Sequence, residues 1–193
     1  MRAAPVAGHV EVICGPMFAG KSEELVRRVR RARLAGLEVE VVNHALDARH
    51  GTGQVASHSG VSVVSRTASD VTALRSLLEG RSPDLVAIDE AQFFGPGLVD
   101  VVDELAARGL TVLVAGLSVT FDGRPFEPLP TLMATAEVVT RLTAVCSVCG
   151  GEAALHQRVD TDATSDALAA AEEHVGGIES YQARCRHHHE TAG

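Results

Sequence analysis

The sequence is poor in aromatic residues. Phe, Trp and Tyr make up 3% of its 193 residues, with no Trp, one Tyr and five Phe. Any site that must stack a ring therefore has few candidates. Positive charge is also short: the formal net charge is -8. Duplex nucleic acid is held by neutralising phosphates with Lys and Arg, and single strands by basic grooves with interleaved aromatics. Neither pattern stands out here, so a nucleic-acid partner is not expected. Long apolar runs are missing too. No stretch approaches the roughly 20 residues of a spanning helix, so no membrane partner is expected. The opening "MRAAPVAGHVEVIC" has one Arg and no sustained apolar segment, unlike a signal peptide. The expected location is cytoplasmic. Cysteine is limited to Cys14, Cys146, Cys149 and Cys185, which read as cytosolic thiols or metal ligands rather than disulfides.

Hydrophobic residues still make up 46% of the chain, enough for one good core plus a small appendage. Apolar, β-rich segments fall at 9–14, 37–44, 61–65, 84–90 and 111–117. Helical patterns begin at Lys21 and cover 69–80 and 97–108. Residues 45–60 are polar and rich in Gly and Ser, and read as a mobile loop. Strand and helix alternate to about residue 117, which predicts an α/β fold with a mostly parallel sheet flanked by helices. "FDGRPFEPLP" (121–130) reads as irregular, and 137–146 as one more strand leading into a cysteine-containing tail. The expected division is a nucleotide-binding domain over 1–143 and a small C-terminal domain over 144–193.

"CGPMFAGKS" matches the Walker A pattern, Gly15-x-x-x-x-Gly20-Lys21-Ser22, between a strand and a helix. Backbone N–H groups from Gly15, Pro16, Met17, Phe18, Ala19 and Gly20 onward would surround phosphate at a helix N-terminus, less the one that Pro16 lacks. Lys21 would reach the β- and γ-phosphates, and the Ser22 hydroxyl would ligate Mg²⁺ accompanying ATP. Asp89 ends the apolar strand "LVAID" as a second Mg²⁺ ligand would. Glu90 follows, placed as a base for water in an ATPase or for an alcohol in a kinase. These motifs give a P-loop, RecA-like nucleotide site and leave hydrolysis and transfer both open.

Cys146-x-x-Cys149 is half of a tetrahedral zinc site, and Cys185-x-x-His188 repeats its spacing. Four protein ligands would close the shell, making the zinc structural. His187 and His189 are alternatives to His188. Such a knot would pin both ends of residues 150–184. Within that span lies Gly176-Gly177, either a segment passing close to a ligand or a surface turn.

Taken together, "GPMFAGKS", "IDEAQFF" (88–94), "LTAVCSVCGGEA" (142–153), "VGG" (175–177), Tyr181 and the Cys-x-x-His ending resemble the cytosolic-type (type II) thymidine kinase family. The resemblance runs from about residue 9 to 188. It implies transfer of the ATP γ-phosphoryl group to the 5′-hydroxyl of thymidine, and of deoxyuridine. It implies Glu90 as the general base, and Lys21, Ser22 and Asp89 as phosphate and Mg²⁺ ligands. Asp47 and Arg49 would lie near the nucleotide phosphates, with Gln92 as a further contact there. Met17, Phe94, Leu117, Phe121 and Phe126 would wall the thymine base, although each Phe has core packing as its alternative. Phe121, just past a strand end, is the best placed to stack. A lasso over Glu172, Glu173, His174, Val175 and Gly176 would bond the base through its main chain, with Tyr181 closing over it. A homotetramer and feedback inhibition by thymidine triphosphate are implied as well. Ser118 stands where the family pattern carries Asp, which implies a local change in hydrogen bonding. The competing reading is a P-loop ATPase or switch module whose zinc tail binds a partner.

Overall fold

The computed structural model describes residues 8–46, 54–56, 62–159 and 181–190. Its centre is a six-stranded sheet built from β1 (His9–Gly15), β2 (Val39–His44), β5 (Arg66–Ala68), β6 (Leu85–Asp89), β7 (Thr111–Leu117) and β8 (Val138–Arg141). The strand order is β5-β2-β6-β7-β1-β8, and every pairing is parallel. Strands β3 (Gln54–Ala56) and β4 (Ser62–Val64) pair beside it as a separate antiparallel ribbon.

A parallel sheet must bury both faces, and alternate residues of the strands divide accordingly. Val10, Val12 and Cys14 of β1, Val86 and Ile88 of β6, and Val112 and Val114 of β7 face one side. There they meet α2 (Val71–Leu78), α3 (Leu98–Ala107) and α4 (Leu129–Thr135). Ile13, Ala87, Leu113 and Ala115 face the other side, under Leu25, Val26 and Val29 of α1 (Lys21–Leu34) and Val55 and Val63 of the ribbon. Helix ends follow their electrostatics: α1 carries Glu23 and Glu24 in its first turn and Arg31 and Arg33 in its last. The Asp70 side chain caps α2 by accepting from the Ala73 N–H. Among the described residues no helix is long and apolar enough to cross a membrane.

The mostly parallel α/β architecture is as the alternation predicts, and four details differ from the expected elements. The polar segment 45–60 contributes β3, where Val55 is buried with the α1 residues Leu25, Val26 and Val29. Segment 61–65 is a short strand as expected, but this β4 pairs with β3 in the separate ribbon, and the chain then enters the main sheet as β5. The segment read as irregular ends in α4, which starts beside Pro130, a residue that suits a helix's first turn. Segment 137–146 divides at Leu142, whose N–H still donates to the Cys14 carbonyl. Beyond it, β9 (Ala144–Val145) leaves the sheet to pair with β10 (Glu152–Ala153), and β11 (Leu155–Arg158) pairs with β12 (Tyr181–Arg184).

Candidate active site

The carboxyl ends of β1, β6 and β7 share one edge of the sheet, where open α/β sheets bind ligands. Register aligns them: Gly15 opposes Leu117, and Asn43 at the end of β2 opposes Asp89. The strand bearing the phosphate loop and the strand bearing Asp89 are separated by β7. The loop from Gly15 to Gly20 therefore enters α1 beside both the Asp89–Glu90 corner and the end of β7.

Gly15 is dictated by space, since a Cβ there would lie 2.5 Å from the Leu142 carbonyl oxygen. Gly20 caps α1 in the left-handed region at φ 81, which glycine adopts without penalty. Phe18 also has positive φ, at 65, and its side chain is half-exposed. Met17 points inward and is buried. Ala19 packs against the cysteine-bearing unit, with Ala144, Cys146, Ala153 and Ala183. The Lys21 ammonium donates to the Pro16 carbonyl at 2.7 Å, folding back over the loop. Ser22 lies in the first turn of α1.

Asp89 and Glu90 are both buried. Glu90 has φ 52 and ψ 42, a left-handed backbone unusual for a residue with a side chain. Its N–H donates to Asp89 Oδ1 at 3.0 Å, and its carbonyl accepts from Phe93 to open a 3₁₀ turn over Ala91–Phe94. Strain of this kind costs about 1–3 kcal/mol and persists where surrounding contacts over-determine it. Gln92 supplies those contacts. Its Nε2 donates to Glu90 Oε2 at 2.5 Å, and its Oε1 accepts from the Leu117 N–H at 2.9 Å. One buried amide thus joins the Glu90 carboxylate to the end of β7.

Beyond that clamp, Met17, Leu117 and Tyr181 form a buried apolar cluster, with Phe121 and Phe126 packed against it. The structure brings together five of the six residues expected around an apolar ligand in the described part of the chain. Phe94 is not among them. It belongs to the main core, packed edge-on to His44 with ring centroids 4.6 Å apart. Core packing, the alternative for each Phe, is where this one goes. Its neighbour Phe93 is half-buried and lies outside that core cluster. Ser118 is buried, and its carbonyl accepts from the Phe126 N–H at 3.1 Å. Asp47, Arg49 and the segment Glu172, Glu173, His174, Val175 and Gly176 lie outside the described residues.

His44 was not anticipated. It ends β2 three residues before Asp47, is buried, and its Nδ1 accepts from the Leu46 N–H at 3.1 Å. Burial lowers its pKa, against opposing contributions from a Ser69 backbone hydrogen bond and the Asp70 charge. A neutral imidazole therefore holds the backbone at Leu46, just past the end of β2. The only sequence signal is a polar residue closing an apolar strand.

The C-terminal cysteines converge as the spacing predicts. One ligand atom from each of Cys146, Cys149, Cys185 and His188 lies within 4.8 Å of the others. The separations include 3.9 Å between the Cys149 and Cys185 sulfurs and 3.8 Å between Cys146 Sγ and His188 Nδ1. A tetrahedral zinc–thiolate shell has edges of about 3.8 Å, so the donors fit that ion. The Cys185 backbone N–H, then those of Cys149 and Val148, hold the Cys146 thiol down to about 5 against burial. That favours the thiolate a metal requires. Of the three tail histidines, His188 faces the thiols. His189 Nε2 instead donates to the Phe121 carbonyl at 2.9 Å.

A sequence model of the thymidine kinase family matches residues 8–189. A thymidine kinase of Halobacterium salinarum is 47% identical, covering 98% of this chain and 97% of its own. One from Deinococcus deserti is 45% identical over 94% of each chain. One from Bdellovibrio bacteriovorus is 45% identical, covering 94% of this chain and 85% of its own.

Proposed function

This chain belongs to the thymidine kinase family, and from that premise we propose how its residues divide the work. The reaction is phosphorylation of thymidine by ATP. Catalysis of such a transfer is mostly positioning and charge stabilisation. The phosphate loop holds the ATP phosphates, and Lys21 leaves the Pro16 carbonyl to meet them. Ser22 and Asp89 hold the Mg²⁺ that accompanies ATP, an ion that neutralises charge developing on the phosphoryl oxygens. Thymine occupies the cluster of Met17, Leu117, Tyr181, Phe121 and Phe126. Glu90 takes the proton of the 5′-hydroxyl. The freed oxygen bonds to the γ-phosphorus as the bond to the bridging oxygen breaks, and ADP leaves.

One observation carries this reading. The Gln92 amide ties the Glu90 carboxylate to the backbone N–H of Leu117, and Leu117 is itself a wall of the apolar cluster. A base fixed to the wall of an apolar cluster, beside a phosphate loop, suits transfer to an alcohol. An ATPase or switch module has no use for that cluster, so it is the less favoured reading. Gln92 is then a positioning residue, its amide already engaged within the protein, and any phosphate contact it makes is secondary.

Asp47, Arg49 and the main chain of 172–176 are assigned to phosphate and base on the resemblance alone. Zinc is the ion assigned to Cys146, Cys149, Cys185 and His188, as a structural knot with no open position. A cytoplasmic homotetramer inhibited by thymidine triphosphate is likewise assigned on the resemblance. Light scattering and an inhibition series test those two properties. The activity is tested with γ-labelled ATP and thymidine. Label is expected in thymidine monophosphate, and release of label only as inorganic phosphate would refute transfer.

A further inference from the structure

The run His187-His188-His189 supplies one metal ligand, and His189 turns the other way. Its Nε2 donates to the Phe121 carbonyl at 2.9 Å, and its ring lies against Gly123, where a Cβ would come 3.3 Å from His189 Cε1. The loop it touches, 118–126, is tied internally. The Thr120 N–H donates to the Arg124 carbonyl, the Gly123 N–H donates to the Thr120 carbonyl, and Val119 bridges Pro125. Those bonds shape the loop but do not fix it to the rest of the protein. Phe121 and Phe126 from this loop wall the apolar cluster, while Tyr181, at the start of β12, enters it from the cysteine-bearing unit. That unit therefore reaches the pocket twice, through the Tyr181 ring and through His189.

We infer that His189 is a strut from the metal knot to the Phe121 wall, a positioning residue that sets affinity for the nucleoside. Its neighbour His188 is held with Cys146, Cys149 and Cys185, so the strut's outer end is as rigid as the knot. Gly123 is accounted for twice: it has φ 79, and it leaves room for the imidazole. The inference rests on the assignment of the apolar cluster as the thymidine site. It gives the metal knot a specific route to the substrate wall.

The test compares the full-length, metal-loaded wild type with His189→Ala and His189→Gln. Steady-state constants for thymidine and for ATP, thymidine dissociation constants by calorimetry, and zinc content by elemental analysis are measured for each. His189→Ala should weaken thymidine binding roughly three- to tenfold, as one hydrogen bond lost from a wall would. The turnover number, the KM for ATP and the zinc content should stay within twofold of wild type. His189→Gln places an amide N–H2 at similar reach and should restore most of the affinity. Unchanged thymidine affinity in His189→Ala overturns the strut. So does an equal loss toward ATP, or loss of zinc without rescue by His189→Gln, since each marks a general structural or ligand role. A wild type that does not bind thymidine overturns the pocket assignment itself, a result distinguishable from the others.

Discussion

Replacing Gln92 with Glu changes one atom's chemistry and almost no volume. The new Oε1 still accepts from the Leu117 N–H. The other oxygen replaces the Nε2 that now donates to Glu90 Oε2 at 2.5 Å. Two carboxylates at that separation repel by about 7 kcal/mol at an effective dielectric of 20. At 1.36 kcal/mol per pH unit this is about 5 units, of which relaxation of the pair leaves roughly 2–3. The pair then retains one proton well above the usual carboxylate range, so the fully ionised pair is depleted as pH falls below neutral. The expected turnover is up to about threefold below wild type at pH 7 and about three- to twentyfold below it at pH 6, recovering as pH rises through the raised value. Thermal stability should move oppositely. The folded pair holds a proton that the unfolded chain has released, so stability is fully present below the unfolded pKa and is lost as pH rises through the folded one. The assays are a turnover–pH profile with saturating substrates and a melting series over the same pH range. A profile parallel to wild type, or one displaced toward acid, would refute the clamp between Gln92 and Glu90.

Four further outcomes follow. Glu90→Gln should keep ATP binding and lose transfer by about 10²–10⁴-fold, as removal of a general base does; near-normal turnover in a single-turnover assay would remove Glu90 from that role. Met17→Ala deletes a buried wall worth about 1.5–3 kcal/mol and should raise the KM for thymidine about 10- to 100-fold with turnover little changed. Deoxyuridine, lacking only the methyl group, should be disfavoured against thymidine by just ~1–3 kcal/mol in kcat/KM. Glu24, whose pKa is lowered to about 2 chiefly by the Arg27 hydrogen bond and further by Arg28, should contribute stability above pH ~4.5 that is lost as pH falls toward 2. With solvent screening discounted, Glu24→Gln should cost about 1 kcal/mol at pH 7, a melting shift of about 2–4 °C that vanishes near pH 2.

The parts of the site that the sequence makes legible are those whose chemistry is local. The phosphate loop needs its glycines, Lys21 and Ser22 within eight residues, and Asp89–Glu90 closes an apolar strand, so pattern alone finds them. The cysteine knot is legible because two short spacings repeat, although only geometry selects His188 over its neighbours. Gln92 is harder: its partner Leu117 is distant in sequence, and nothing in "DEAQFF" says that the amide spans both. Gly116 records the arrangement indirectly, since a Cβ there would come 2.7 Å from Gln92 Oε1. Phe93 and Phe94 differ only in which way a 3₁₀ turn points them, which composition cannot decide. Helix α4 is hidden because proline suggests a break where here it begins a helix.

The proposed function places thymidine between the phosphate loop and the cysteine-bearing unit, with its 5′-hydroxyl at Glu90. A crystal structure of the zinc-loaded protein with thymidine bound measures this directly. The expected result is thymine among Met17, Leu117, Tyr181, Phe121 and Phe126, with the 5′-oxygen about 2.6–3.2 Å from a Glu90 carboxylate oxygen. Thymidine bound elsewhere, or with its 5′-oxygen turned away from Glu90, would contradict it.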